Sequence, residues 1–260
     1  AYHAGGPADL HKHLVLAGLL ALLTQKDRGI SYLESHAGRG AYDLASPEAA
    51  KTGEAMRGIA LVEPGQHPFW QAVTALRAAW GATAYPGSPA VARALLRPQD
   101  RMILMELHPA EHAALEAAMS GGGGPEIAIH RRDGAEGLRA LTPPQPRRGL
   151  ALIDPSYEIK TEYTDTALMA LEVATRWPQG VLAIWYPLLP SERHEGLVGP
   201  IEAVAPEGVI RDEVRFADPP ARGMIGSGMI LLNAPYGADA VLAAAHEAAG
   251  PLFAQASGEK

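Results

Sequence analysis

The feature that most constrains the fold is a continuous apolar run, Gly149-Leu150-Ala151-Leu152-Ile153, which ends at Asp154. A short run without polar alternation is typical of a strand that is buried on both faces, and such strands occur in parallel sheets covered by helices. Ligands of open parallel sheets bind beyond the carboxyl ends of the strands. Asp154 is therefore a candidate functional residue.

Strand-like and helix-like segments alternate along the rest of the chain. Helical periodicity predicts helices over residues 10–25 and 109–119. Further strands are predicted at residues 30–34, 101–106, 126–130, 181–185, 209–216 and 229–233. Alternation of this kind favours a parallel sheet, so the sequence predicts an α/β fold.

The segment 47–97 differs from its surroundings. It carries helical patterns interrupted by Pro64-Gly65 and by Tyr85-Pro86-Gly87-Ser88-Pro89, without a clear strand. The chain has 260 residues, of which 47% are hydrophobic, which suits one α/β domain with an insertion better than two domains. We predict a principal domain of residues 1–46 and 98–260 and a helical insertion at 47–97.

Composition excludes several classes of protein. Because cysteine is absent, there is no disulfide framework, thiolate metal site or cysteine nucleophile. The formal net charge of -7 disfavours a protein that coats nucleic acid through charge alone.

The apolar residues 14–23 resemble the centre of a signal peptide but are too short to span a bilayer, so a buried helix is the plainer interpretation. A cytoplasmic protein without a membrane partner is expected.

The histidines near the start of the chain, His3, His11 and His13, do not predict a metal site. Residues two positions apart point to different faces of a helix and cannot share one ion easily. We expect no metal.

Candidate ligand-binding residues follow three other predicted strands. Gly38 and Gly40 form a turn that lets a ligand approach the backbone, with Glu34 four residues before Gly38. Glu106 could accept hydrogen bonds from both hydroxyls of a ribose, although an ordinary surface acid is equally compatible. Asp133-Gly134 could receive an adenine amine, but taken by itself this dipeptide is better explained as an Asp-Gly turn.

A dinucleotide-binding enzyme is disfavoured. Its glycine fingerprint would place a glycine or alanine at position 43, where this chain has Asp43. A carboxylate beside the turn would repel a pyrophosphate.

The tetrapeptide Asp154-Pro155-Ser156-Tyr157 is suited to chemistry on the exocyclic amine of adenine. The lone pair of that amine is delocalised into the ring, so a catalyst must accept hydrogen bonds from it and hold it in line with a methyl donor. The Asp154 carboxylate and the Pro155 carbonyl supply acceptors, and Tyr157 offers a stacking face for a base taken out of its helix. The alternative is a strand-terminating turn, since Asp-Pro is common there.

Motifs spread over almost the whole chain resemble the bacterial RlmJ family of 23S rRNA adenine-N6 methyltransferases. They are the segments 2–13, Ser35-His36-Ala37-Gly38-Arg39-Gly40, 85–89, Glu106-Leu107-His108-Pro109, Asp133-Gly134, 154–158, Trp185-Tyr186-Pro187 and Gly226-Ser227-Gly228-Met229. The resemblance implies a class I, Rossmann-like methyltransferase fold with a seven-stranded, mostly parallel sheet. It also implies S-adenosylmethionine as cofactor and 23S rRNA as partner, and we expect a monomer.

The resemblance implies that Asp154 is the catalytic acceptor, and the chemistry of the tetrapeptide adds Pro155 and Tyr157 as expected catalytic residues. The resemblance also implies cofactor contacts from Lys12, His13, His36, Ser88, Glu106, Asp133, Gly134 and Asp154. The glycine turn adds Gly38 and Gly40 to this expected cofactor-binding set.

One position departs from the family pattern, because Ser156 stands where the family has proline. Serine removes a rigid ring and adds a backbone donor, which could loosen the pocket. Together with the acidic net charge, Ser156 leaves open a non-catalytic or weakly active RNA-binding homologue. A second alternative is an adenine-N6 methyltransferase that acts on DNA, because an acidic-Pro-x-aromatic motif serves either substrate.

Overall fold

The computed structural model describes residues 4–204 and 208–254. The start of the predicted motif 2–13, including His3, lies outside these residues. The strands within them are β1 (Ser31–Glu34), β2 (Ala41–Asp43), β3 (Ala84–Pro86), β4 (Arg101–Met105), β5 (Glu126–His130), β6 (Gly149–Ile153), β7 (Gly180–Leu188), β8 (Val209–Arg215) and β9 (Gly226–Leu232). The helices are α1 (Pro7–Thr24), α2 (Pro47–Thr52), α3 (Glu54–Arg57), α4 (Phe69–Trp80), α5 (Ser88–Leu95), α6 (Pro109–Met119), α7 (Gly134–Leu141), α8 (Glu162–Arg176), α9 (Glu195–Val204) and α10 (Ala238–Ala249), with short 3-10 turns at Ile59–Leu61 and Gly250–Leu252.

Seven strands form one sheet in the order β5-β4-β1-β6-β7-β9-β8. All neighbouring pairs are parallel except those of β9, which runs antiparallel to both β7 and β8. The predicted seven-stranded, mostly parallel sheet is confirmed. Strand β6 is buried at every residue, as its unbroken apolar run predicted.

The order of the strands creates a switch point between β1 and β6. From β1 the chain builds outward through β4 and β5, and it then returns to place β6 on the other side of β1. Loops that leave the carboxyl ends of β1 and β6 therefore diverge, which opens a crevice where ligands of α/β proteins bind.

Helix α1 covers one face of the sheet and is buried along most of its length. It packs against α10 and α5 as well as against strands of the sheet. The helix begins three residues earlier than predicted, because Pro7 has a preset φ and needs no amide partner in a first turn. Among the described residues, no helix is long and apolar enough to cross a bilayer.

The segment 47–97 contains helices α2 to α5, but the prediction that it lacks a strand was wrong. Strand β3 pairs antiparallel with β2, so that Ala84 lies opposite Asp43 and Pro86 opposite Ala41. Three residues that include a proline are too few to show alternation, which is why the sequence pattern did not reveal this strand. The boundaries of the insertion remain a prediction.

Candidate active site at the switch point

A cavity of about 710 Å³ lies at the carboxyl ends of β6 and β7, beneath the first turns of α1. All four residues of the tetrapeptide that begins at Asp154 line it. Further lining residues come from distant parts of the chain, namely Asp9, Lys12, Arg57, Trp185, Phe216 and Arg222. The most chemically distinctive motif of the sequence therefore opens into this cavity.

Lys12 holds the Asp154 carboxylate in place. Its Nζ lies 2.6 Å from Asp154 Oδ2 and 3.1 Å from Asp9 Oδ1. Burial by itself would lower the pKa of Lys12, but the two carboxylates outweigh burial and raise it above its ordinary value. Lys12 therefore remains protonated, and the second oxygen of Asp154 stays available to another donor.

The remaining residues of the tetrapeptide are arranged around this pair. Pro155 is buried and Ser156 is exposed. Tyr157 has a φ of 53°, in the left-handed region that non-glycine residues seldom adopt. Its hydroxyl donates to the Trp185 carbonyl oxygen at 2.7 Å, and its ring stacks on Tyr163 with 4.5 Å between centroids. One face of Tyr157 is thus occupied within the protein.

The glycine turn after β1 is joined to the acid after β4. The Gly38 amide donates to Glu106 Oε2 at 2.9 Å, and the His108 amide donates to Glu106 Oε1 at 2.8 Å. Gly38 and Gly40 have φ values of 59° and 76°, which glycine adopts without strain. This contact brings two predicted cofactor-binding residues together.

A second buried carboxyl group lies at the end of β1. The side chains of Ser88 and Tyr32 both donate to Glu34, the latter at 2.7 Å. Burial raises the pKa of Glu34 to about 8 despite these hydrogen bonds. Ser88, a predicted cofactor-binding residue, is therefore brought to the switch point through its contact with Glu34.

The predicted site residues beyond β5 and β1 contact neighbouring backbone. Asp133 Oδ1 accepts from the Glu136 amide at 2.9 Å and caps α7. A Cβ on Gly134 would lie 2.1 Å from the Ser35 carbonyl oxygen, so only glycine fits this close approach. His36 is exposed, and its Nδ1 lies 2.8 Å from Ser35 Oγ.

His13 is separated from the cavity. It is 1% exposed, its Nδ1 lies 2.9 Å from the Tyr85 hydroxyl, and its ring stacks on Phe69. Burial lowers its pKa to about 3, so it is neutral near pH 7. Its predicted contact with a cofactor remains a prediction.

Sequence reasoning did not assign site roles to Trp185 or Asp9. Trp185 lies within the neighbouring strand β7, one residue beyond the Ile184 that pairs with Ile153, and Lys12 Nζ lies 5.6 Å from its ring centroid. Its position near the end of a predicted strand was an available signal. Asp9 precedes Lys12 by three residues on a helix, which is the spacing of side-chain pairs.

Comparison with known proteins now identifies the family. Residues 27–259 match the model of the family described as Ribosomal RNA large subunit methyltransferase D, RlmJ. The chain belongs to the RlmJ family. Proteins named Ribosomal RNA large subunit methyltransferase J are similar: that of Escherichia coli K12 is 35% identical and that of Haemophilus influenzae 36% identical. Each alignment covers 91% of this chain and 86% of the relative.

The fold comparison agrees with this RlmJ assignment. A crystal structure of a Legionella pneumophila protein matches with a TM-score of 0.83 and 32% sequence identity, covering 98% of this chain and 99% of that one. The predicted class I, Rossmann-like methyltransferase fold is therefore confirmed for this RlmJ-family chain.

Proposed function

We propose that this protein is an S-adenosylmethionine-dependent methyltransferase that methylates N6 of an adenine in 23S rRNA. The observation that carries the proposal is the Asp154 carboxylate, which Lys12 holds at 2.6 Å in a cavity at the end of β6. Membership in a family of large-subunit rRNA methyltransferases supports the class of reaction and the class of substrate. We further propose that it acts in the cytoplasm as a monomer.

The residues at the switch point fit such a cofactor. The backbone amides of Gly38 and His108 each donate to one oxygen of the Glu106 carboxylate and hold it in place. Each oxygen keeps a lone pair that can accept from a ribose hydroxyl. Gly38 and Gly40 give the turn after β1 its left-handed backbone, and Gly134 lets the start of α7 pack against the Ser35 carbonyl, which together shape this edge of the site. Lys12, His36, Ser88, Asp133 and Asp154 would complete the binding set. When bound, S-adenosylmethionine supplies an electrophilic methyl group.

The chain's own residues prepare the target amine. Asp154 and the Pro155 carbonyl accept hydrogen bonds from the adenine amine and orient its lone pair toward the methyl group. Lys12 fixes Oδ2 of Asp154, so that the carboxylate presents its other oxygen to the substrate. Methyl transfer would form the N6–carbon bond as the sulfur–methyl bond breaks, with S-adenosylhomocysteine as the leaving group. The adjacent carboxylate stabilises the positive charge that develops on N6, and the methylated amine then loses one proton to water.

Two arginines at the cavity suit an RNA substrate. Arg57 and Arg222 both line it, and guanidinium groups bind phosphate with paired hydrogen bonds. Arg57 also forms a long ion pair with Glu54, with 3.9 Å between Nη2 and Oε1. Arg77 and Arg93 of the same insertion bond to backbone carbonyl oxygens at 3.3 Å and 3.1 to 3.4 Å and do not line the cavity. We therefore propose phosphate contact for Arg57, because it lines the cavity, rather than for the insertion as a whole.

The proposal is tested by incubating the protein with labelled S-adenosylmethionine and 23S rRNA that lacks the modification. Label should appear at adenine N6, and Asp154→Asn should reduce the rate by about 10²-fold or more. Asp239→Asn, an exposed acid on α10, is the matched control and should retain activity. Absence of transfer by the wild-type protein would falsify the proposed reaction.

Two further arms address the alternatives. Duplex and single-stranded DNA compete with 23S rRNA in the same assay, and preferential labelling of either DNA would make DNA the substrate.

Ser156→Pro tests whether serine weakens activity. Within the described residues the Ser156 amide has no hydrogen-bond partner, so proline removes no such bond. A large rise in turnover would show that serine reduces function.

A further inference from the structure

A chain of buried polar groups lies behind the wall of the cavity. The Trp185 indole Nε1 donates to Ser227 Oγ at 2.9 Å, and Ser227 Oγ lies 2.8 Å from His11 Nδ1. His11 Nε2 in turn lies 2.8 Å from Asp212 Oδ2. His11 and Ser227 are fully buried and Asp212 is 7% exposed. Polar groups in such surroundings are costly unless each has a partner.

The direction of every hydrogen bond in this chain follows from donor chemistry. An indole N–H can only donate, so it must use a lone pair of Ser227 Oγ. At the other end, the ionised Asp212 carboxylate can only accept, so His11 Nε2 carries a proton and donates it to Asp212 Oδ2. The neutral imidazole then accepts at Nδ1, and the Ser227 hydroxyl donates to it.

Asp212 anchors the far end of the chain. His246 Nε2 lies 2.9 Å from Asp212 Oδ1, which gives the carboxylate a second partner. Burial alone would raise the pKa of Asp212, but the hydrogen bonds from His11 and His246 outweigh it and hold the pKa well below its ordinary value. An ionised Asp212 keeps His11 in the orientation that accepts from Ser227.

At its other end the chain reaches a residue of the candidate active site. Trp185 lines the cavity, Lys12 Nζ lies 5.6 Å from its ring centroid, and its carbonyl oxygen accepts from the Tyr157 hydroxyl. His11 and Lys12 are adjacent on α1. The same turn of this helix therefore contacts Ser227, which holds the indole nitrogen, and places the Lys12 ammonium group near the indole ring.

We propose that Asp212, His11 and Ser227 form a positioning relay, which fixes the Trp185 indole against Lys12 and thereby shapes the pocket used for methyl transfer. The catalytic part of this inference rests on the proposed function. The three relay residues do not touch the reacting groups and act through Trp185. His11, Asp212 and His246 also lie close enough together to share a metal ion, which would take the place of the hydrogen on His11 Nε2. The relay is the arrangement in which hydrogen bonds alone join these groups.

The structural part is tested by exchange of the Trp185 indole proton, observed by ¹⁵N nuclear magnetic resonance and assigned with Trp185→Phe. Ser227→Ala should accelerate exchange at least about tenfold, since the proton loses its acceptor. Ser227→Thr keeps the hydroxyl and should restore protection. Ser120→Ala, which removes an exposed hydroxyl at the end of α6, is the matched control and should leave exchange of the Trp185 indole proton unchanged. Unchanged exchange in Ser227→Ala would overturn the proposal.

Turnover tests the catalytic part. At saturating S-adenosylmethionine, kcat of Ser227→Ala should fall about tenfold, because a displaced pocket wall misaligns the reactants. The kcat of His11→Phe should fall by the same factor. The kcat of the double variant should be no lower than that of either single variant, because both substitutions break the same relay. Faster indole exchange with unchanged kcat, or additive losses, would reject the positioning role.

Two controls separate the possible failures. If the wild-type protein transfers no methyl group, the proposed function fails. The relay is then tested by the Kd for S-adenosylhomocysteine and by exchange of the Trp185 indole proton. Ser227→Ala should then weaken S-adenosylhomocysteine binding severalfold, and unchanged Kd would contradict a role in shaping the pocket. Treatment of the wild type with EDTA should leave indole exchange unchanged. Accelerated exchange would show that a metal ion holds His11 and would overturn the relay.

Discussion

Replacing Lys12 with methionine tests the electrostatic organisation of the site most directly. The ammonium lies between two carboxylates, 2.6 Å from Asp154 and 3.1 Å from Asp9. The side chains of Lys12, Asp154 and Asp9 are only 10%, 14% and 16% exposed. Methionine keeps an unbranched side chain, shorter by one atom, but leaves two anions near each other without a cation.

The expected cost follows from this geometry. Removing one partner of a buried ion pair costs about 3–5 kcal/mol, because the remaining charge is uncompensated. Water entering from the cavity reaches both carboxylates in part, so we expect the lower end, about 3 kcal/mol of unfolding free energy. Asp154→Asn should lower the free energy of unfolding by at least about 2 kcal/mol less than Lys12→Met does, because Lys12 keeps its contact with Asp9.

Urea denaturation followed by circular dichroism measures these differences, and the melting temperature of Lys12→Met should fall by roughly 6–12 °C. Lys26→Met, at an exposed position, is the matched control and should change stability by less than about 0.5 kcal/mol. The reasoning is refuted if Lys12→Met is within about 1 kcal/mol of wild type, or if Asp154→Asn loses as much stability.

Three further predictions concern stability. Because the native pKa of Glu34 is raised to about 8 from 4.5, the native state retains a proton that the unfolded state loses, so the stability of wild type relative to Glu34→Gln should fall as pH rises from 4.5 to 8; a flat difference in urea titrations would contradict this. Gly134→Ala forces a Cβ within 2.1 Å of a backbone oxygen and should lower unfolding free energy by about 1–3 kcal/mol, whereas Gly122→Ala, in open space, should be near neutral by the same measurement. Tyr157→Phe removes the 2.7 Å hydrogen bond to the Trp185 carbonyl and should cost about 1 kcal/mol in thermal denaturation; no loss would mean that water replaces the tyrosine hydroxyl.

The sequence determined the local elements and the edge of the sheet that carries the site. The bounds of β5, β6 and α6 agree with the predicted segments. Strand β6 is buried at every residue and shows an unbroken apolar run, the edge strand β5 packs the alternating Ile127 and Ile129 against the core, and α6 buries one helical stripe, so each leaves its own signal in the sequence. The parallel order of the strands then requires Asp154 and Glu106 to share one edge, since parallel strands have their carboxyl ends together.

Only the tertiary structure decided which side chains meet at that edge. Lys12 reaches Asp154 across 142 positions of sequence, and His11 reaches Ser227 across 216. Such contacts depend on how α1 lies across the sheet, and periodicity within one segment carries no information on a partner in another. The short strand β3 and the polar chain that ends at Trp185 escaped prediction for the same reason, because pairing and hydrogen-bond direction are fixed only when distant segments pack together.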